Sequence, residues 1–225
     1  MATRKSKAKS STLKQRECPE FEEHVCAEVA LKLLKDGNKR YVSKQEQGRC
    51  NEERRKMFHD TQRPWAVVLT CADSRVSPEL VFDAGIGDLF VVRVAGNIAN
   101  ACSIASIEYA IANLPTDLIV VLGHENCGAV AASLKRISST HSLNQLLGHL
   151  TPVAREYGDD WAKATKKEKL KIEYDASRYN ARSVARQLKA QSPEVMLEHP
   201  TLQIVPAIYE TGTGKVCWER KSSWQ

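Results

Sequence analysis

Short apolar runs alternate with longer amphipathic stretches through the middle of the chain. Residues 66–70 (AVVLT), 89–94 (LFVVRV) and 118–123 (LIVVLG) are strand-sized, rich in Val and apolar on both faces. A strand of that kind suits a parallel sheet covered by helices on each side, because neither face can be left to solvent. Between them, residues 78–84 open with Pro78, which fits the first turn of a helix. Residues 102–113 set Ile104, Ile107, Tyr109 and Ile111 among small residues, the pattern of a buried helix. Residues 128–137 supply another helix straight after the third strand. This βαβαβα order predicts an open, doubly wound α/β sheet.

The flanks extend the picture. Residues 24–43 read as a helix with Val25, Val29, Leu33 and Leu34 on one stripe, interrupted but not ended by Asp36-Gly37-Asn38. Residues 48–62 are charged and read as a connector with one helical turn. Residues 159–191 are highly charged and helical in pattern, with Ile172, Ala176, Tyr179 and Val184 on the buried side. Two late strands, 202–209 (LQIVPAIY) and 215–218, are joined by the hairpin-type turn Thr211-Gly212-Thr213-Gly214. Pro206 has no N–H to give a ladder, so an edge or a bulge is expected there. The fold class expected is α/β: an open, mainly parallel sheet of four to five strands flanked by helices. With no repeat and no linker, residues 17–225 read as one domain.

Charge changes this picture only at the N-terminus. Of the formal net charge of +6, residues 1–16 carry Arg4, Lys5, Lys7, Lys9, Lys14 and Arg16 with no acid. The arm accounts for the whole excess and reads as solvated and disordered. An organelle-targeting segment and a tether for an anionic protein partner are the alternatives. The nearly neutral remainder argues against a basic groove, so no nucleic-acid partner is expected. No apolar run approaches the ~18 residues that span a membrane, so none is expected to be bound. Seven cysteines without regular spacing argue for reduced thiols and a cytoplasmic setting, with an organelle as the alternative.

Candidate chemistry sits after two of the strands. Residues 66–70 run into Cys71-Ala72-Asp73-Ser74-Arg75, and 118–123 into His124-Glu125-Asn126-Cys127-Gly128. Ligands gather at the carboxyl ends of strands in open α/β sheets, so the two loops can share one site. Cys71, His124 and Cys127 then offer two thiolates and an imidazole, a set that suits Zn²⁺ and leaves a fourth position open. Each piece alone is weak, since a strand-end Cys is more often a small buried hydrophobe. Asp73 and Arg75 could be an ordinary surface ion pair worth ~0–1 kcal/mol, or an oriented pair facing the metal.

The runs CADSRV (71–76), GDLFVVRVAGN (87–97), SIEYA (106–110) and GHENCGAV (123–130), in this order, resemble the β-class carbonic anhydrases. The resemblance is strong over residues 63–133 and looser over 25–218. It implies one Zn²⁺ per subunit on Cys71, His124 and Cys127, with Asp73 and Arg75 as the catalytic dyad. It implies a substrate pocket from Gln62, Phe90, Ala95 and Tyr109 beside the Gly128 backbone. Gln62 would come from the neighbouring subunit of a dimer or dimer of dimers, with N-terminal helices packing on that partner. The activity implied is carbonate dehydratase: reversible hydration of carbon dioxide to bicarbonate and a proton through a zinc-bound hydroxide. Family members also have an inactive form in which the Asp, here Asp73, becomes a fourth metal ligand. Val94 replaces the family's usual Asn. Val68 stands where bicarbonate-inhibited members have Trp, although their Arg is present as Arg93. His59 and His141 are candidate proton carriers. The alternatives are hydrolysis of COS or CS₂ at the same zinc, and a non-catalytic zinc or redox module that binds a partner.

Overall fold

A computed structural model describes residues 24–47 and 51–219 of the 225-residue chain. The basic arm, Cys18 and Cys50 lie outside the described residues. The elements run α1 (Ala27–Val42), α2 (Asn51–Met57), β1 (Ala66–Thr70), α3 (Pro78–Val81), β2 (Leu89–Arg93), a 3-10 turn (Ala95–Asn97), α4 (Ala101–Asn113), β3 (Leu118–His124), α5 (Gly128–Leu134), α6 (His141–Gly148), α7 (Thr151–Lys163), α8 (Lys166–Gln191), α9 (Pro193–Glu198), β4 (Gln203–Tyr209) and β5 (Val216–Trp218). The five strands form one sheet in the order β2-β1-β3-β4-β5. All pairings are parallel except β4 with β5. This is the open, mainly parallel α/β architecture expected from the alternating runs.

The doubly apolar strands are explained by what covers them. Along β1 and β3 successive side chains face opposite sides. Val68, Val120 and Leu122 join Leu34 and Phe82 in one core layer. Val67, Leu69, Ile119 and Val121 meet Ile107, Val184 and Leu188 from α4 and α8 in the other. Every residue of β1 and β3 is buried, whereas β2, at the sheet edge, is only half-buried.

The structure sharpens or corrects several expectations. In α1 the buried side is Ala27, Ala30, Leu34, Gly37 and Asn38, while Val29 and Leu33 are 45% and 43% exposed. The helix lies so close to Phe82 that a Cβ on Gly37 would sit 2.7 Å from the Phe82 carbonyl carbon. Small residues therefore face inward and the larger aliphatics outward. Asn38, read as an interruption, instead rivets the helix down: its Nδ2 donates to the carbonyls of Val81 (3.1 Å) and Gly214 (2.9 Å), and its Oδ1 accepts from Val216 N (2.9 Å).

The helical pattern over 159–191 is divided between the end of α7 and α8. Ala164 closes α7, and Thr165 caps α8 through a reciprocal box with Glu168, which satisfies amides that a continuous helix would not leave free. Tyr109, read as part of a buried helix, is 55% exposed, while Ile107, Ala110 and Ile111 of α4 are the residues turned to the core. Pro206 causes no bulge and sits in register opposite Val121. Its carbonyl accepts from Glu219 N, so its missing N–H faces the β5 side, where the pairing runs out.

Candidate active site

Register brings the two chemical loops together. Thr70 is paired with Leu122 on one side and Arg93 on the other, so β1 ends beside the last residues of β3. Cys71 leaves β1, His124 ends β3, and Cys127 follows three residues later, immediately before α5. All three are buried, and their candidate ligand atoms lie within 4.8 Å of one another. For comparison, tetrahedral zinc holding two sulfurs at 2.3 Å would set them about 3.8 Å apart.

The imidazole is prepared for a metal. His124 Nδ1 lies 2.9 Å from the carbonyl oxygen of Glu125. A carbonyl can only accept, so Nδ1 carries the proton and Nε2 presents a lone pair. His124 is fully buried, yet Nε2 has no hydrogen-bond partner; only three described side-chain polar atoms are left this way. Leaving such an atom unpaired is costly. A cation between Nε2 and the two sulfurs removes that cost.

The thiols share one proton in the metal-free protein. A hydrogen bond from Cys127 pulls the Cys71 thiol down to about 4 against the desolvation that would raise it. The Gly96 and Asp73 amides assist; Gly96 N is 3.2 Å from the sulfur. Cys127, hydrogen-bonded to that thiolate and itself desolvated, is pushed far up. A divalent ion that displaces the shared proton makes both thiolates and balances their charge. The donor set therefore fits zinc.

Gly96 can approach Cys71 because of its backbone. Its φ of 73° is left-handed, and a Cβ there would press on Ala129 at 3.1 Å and Leu150 at 3.2 Å. Asn180 Nδ2 holds its carbonyl at 2.8 Å.

Asp73 stands beside the set, its Oδ2 3.9 Å from His124 Nε2. The Arg75 guanidinium donates from Nε to Oδ1 (2.9 Å) and from Nη2 to Oδ2 (2.8 Å), and the Arg75 amide adds a third bond to Oδ1 (3.0 Å). This fork holds the Asp73 carboxyl well below the usual carboxylate range. Both carboxylate oxygens are engaged, so the arrangement is the arginine-paired one. Arg75 is fixed in turn by the Asn126 carbonyl at 3.1 Å.

Of the remaining expected residues, Gly128 and Ala95 adjoin this centre, next to Cys127 and Gly96, whereas Phe90 lies opposite Val67, four residues before Cys71. Gly128 opens α5, and a Cβ there would meet nothing within 4 Å. Ala95 begins the 3-10 turn and is half-buried. Phe90 on β2 and Tyr109 on α4 have ring centroids 6.5 Å apart. Gln62 is exposed on the connector between α2 and β1. His59 and His141 are exposed, and neither bonds to Asp73, Arg75 or the ligand set; His59 lies by Lys56 and Asp60.

Sequence reading missed the supports. Arg93, noted only as a remnant of a bicarbonate site, donates to the carbonyls of Cys71 (3.3 Å) and Asp73 (2.8 Å) and clamps their loop. The roles of the Glu125 and Asn126 carbonyls were also unseen. Asn126 has φ 55°, and an Asn two residues after a strand is a recognisable signal for such a left-handed position.

Fold and site together define an α/β protein with a Cys-His-Cys cluster that could hold a metal beside an oriented carboxylate, and the comparisons identify the family. The carbonic anhydrase family model matches residues 66–216, so the chain belongs to that family. Within it, the chain is of the β class. It is 50% identical over 113 residues to a carbonic anhydrase of Mycolicibacterium smegmatis, covering 48% of this chain and 53% of the relative. It is 33% identical over 178 residues to the carbonic anhydrase of Synechococcus elongatus, covering 71% and 61%. The chain thus spans about half the length of the first curated relatives it matches. Among solved structures, the β-carbonic anhydrase CcaA superposes with a TM-score of 0.68 at 25% identity, over 87% of this chain and 97% of that one. A tetrameric β-carbonic anhydrase of Sordaria macrospora superposes at 0.67 with 22% identity, over 75% and 87%, a likeness of fold.

Proposed function

We propose that the chain holds one zinc ion per subunit on Cys71, His124 and Cys127 and catalyses the reversible hydration of carbon dioxide to bicarbonate and a proton. The observation that carries this reading is the buried His124 Nε2, partnerless and converging with two thiols beside an ionised Asp73. Zinc on two thiolates and one imidazole supplies Lewis acidity at an open position, weaker than on three imidazoles, so activity should rise toward alkaline pH.

The chain's own groups do the rest. Asp73 accepts a hydrogen bond from the attacking water and aims its lone pair at the carbon. Arg75 keeps that carboxylate charged and oriented. Because the carboxyl lies so far below neutrality, Asp73 orients the water and does not store its proton. Phe90, Ala95 and Tyr109 offer an apolar wall to an apolar gas beside Gly128, and Gln62 of a neighbouring subunit donates to the forming bicarbonate. The paired Phe90 and Tyr109 rings beside the open β2 edge support assembly there into a dimer or a dimer of dimers. No helix among the described residues is long and apolar enough to cross a membrane. The five described cysteines, all free, favour a reducing compartment such as the cytoplasm. Residues 17–225 act as one domain in this reading, and the arm at 1–16 stays outside the chemistry.

Stopped-flow hydration of carbon dioxide against pH, with zinc stoichiometry on the same sample, tests the proposal. Carbon dioxide hydrated at the uncatalysed rate by fully zinc-loaded protein overturns it. Parallel assays with COS and CS₂ at matched pH show whether a sulfur analogue is the better substrate.

A further inference from the structure

Glu125 is tied down at every polar group it has. Its amide donates to the Tyr209 carbonyl at 2.9 Å, carrying the contact between β3 and β4 one residue past His124. Its carbonyl accepts from His124 Nδ1 at 2.9 Å. Its carboxylate reaches the turn between β4 and β5, accepting from Thr211 Oγ1 at 3.3 Å and from Gly212 N at 3.4 Å. That turn is itself anchored. Thr213 Oγ1 donates to Glu210 Oε2 at 2.8 Å, Gly214 N donates to the Glu210 carbonyl at 2.8 Å, and Asn38 of α1 holds the Gly214 carbonyl at 2.9 Å.

The next peptide explains why so much anchoring is useful. The orientation of the Glu125 carbonyl is set by ψ of Glu125 and φ of Asn126. Asn126 occupies the left-handed region at φ 55°, which Asn tolerates better than most residues but which still lies above ordinary extended or helical backbone in energy. Rotating the 125–126 peptide back toward ordinary φ would relieve that strain and turn the carbonyl away from Nδ1. The imidazole would then be free to place its proton on Nε2, where it cannot bind a metal.

We infer that Glu125 is a positioning residue: its carboxylate, anchored on Thr211 and Gly212, keeps its own carbonyl on His124 Nδ1 and so sets how tightly the metal is held. This rests on the zinc site proposed above and not on the carbon dioxide chemistry.

The test uses the zinc-loaded full chain and its Glu125→Ala, Glu125→Gln and Thr211→Val variants. A competing chelator gives the zinc dissociation constant, and ¹⁵N-histidine NMR gives the His124 tautomer in the metal-free state. Glu125→Ala should weaken zinc binding about tenfold and raise the Nε2–H tautomer. Glu125→Gln keeps an acceptor oxygen and should stay within about twofold of wild type, with Thr211→Val between the two. Wild-type zinc affinity and tautomer in Glu125→Ala overturn the inference. So does a loss of zinc affinity with the tautomer unmoved and the metal-free protein equally destabilised, which marks a merely structural role. Should wild type bind zinc and fail to hydrate carbon dioxide while Glu125→Ala still loosens the metal, the proposed function falls and this inference stands.

Discussion

Replacing Gly37 by Ala separates helix propensity from packing, because the two predict opposite signs. In the interior of α1, Gly→Ala should stabilise by about 1 kcal/mol on propensity alone. The added Cβ, however, would stand 2.7 Å from the carbonyl carbon of Phe82 and closer still to its oxygen. Those are backbone atoms of a residue only 1% exposed, and no rotamer change removes them. Relief requires α1 and the end of α3 to separate by roughly an ångström, and overpacking of this kind costs ~1–3 kcal/mol. The same movement stretches the three hydrogen bonds of Asn38, the adjacent residue, each worth ~0.5–1.5 kcal/mol net. After subtracting the helix gain, a net loss of about 2–4 kcal/mol remains, or roughly 5–15 °C in Tm for a chain of this length. Thermal unfolding followed by circular dichroism, at fixed protein and zinc concentrations, measures it. Gly148→Ala is the control, since a Cβ there meets nothing within 4 Å and should leave Tm unchanged or slightly raised. Gly37→Ala unfolding at or above the wild-type temperature would refute the close-packing account of α1.

The other predictions concern the site. Asp73→Asn keeps the shape but removes the charge, so carbon dioxide hydration should fall about 10²–10³-fold while zinc content stays near one per chain; stopped-flow rates beside a metal assay check both. Asp73 has a folded pKa depressed by Arg75, so the pair's contribution to stability is full above the unfolded value of about 3.9 and is lost only as pH falls through the lower folded value. In Arg75→Gln the Asp73 titration, followed by carboxyl ¹³C NMR, should move up toward 3.9; an unmoved titration would exclude Arg75 as the cause. Chelating the metal at neutral pH should lower Tm reversibly, by about 2.7 kcal/mol of stability relative to protein at a hundredfold excess of free zinc over Kd. Calorimetry showing no change on chelation would exclude a metal shared by Cys71, His124 and Cys127.

How far the chain could be read depended on whether a pattern was local. The buried runs of β1 and β3 and the helices after them follow from spacing alone, and their strand ends pointed to where Cys71 and His124 meet. Burial in α1 was misassigned because the inward side is set by how closely the helix approaches Phe82, a contact between residues 45 apart in the chain. Larger residues such as Val29 and Leu33 therefore look more core-like than Ala30 and Gly37. The break at Thr165 was legible in principle, since Thr165 and Glu168 have the spacing of a capping box. The clamps on the site were not legible. Arg93 donates from its guanidinium to the Cys71 and Asp73 carbonyls, and Glu125 and Asn126 act through their own carbonyls, so each contact depends on tertiary register; only the left-handed position at Asn126 left a local signal.

The segment from His124 to Cys127 shows why two ligands can come from so short a stretch. An extended strand would send His124 and Cys127 to opposite faces of the sheet, being an odd number of residues apart. The left-handed turn at Asn126 cancels that alternation and brings the Cys127 sulfur back toward the imidazole. The turn leaves two carbonyls directed out of the strand ladder, and both have work: that of Glu125 fixes the tautomer of His124, and that of Asn126 holds Arg75 against Asp73. Ligand geometry and dyad geometry therefore share one backbone conformation. A disturbance of the 125–126 peptide would move both His124 and Arg75, so on the proposed reading metal retention and the orientation of Asp73 are coupled by the chain itself.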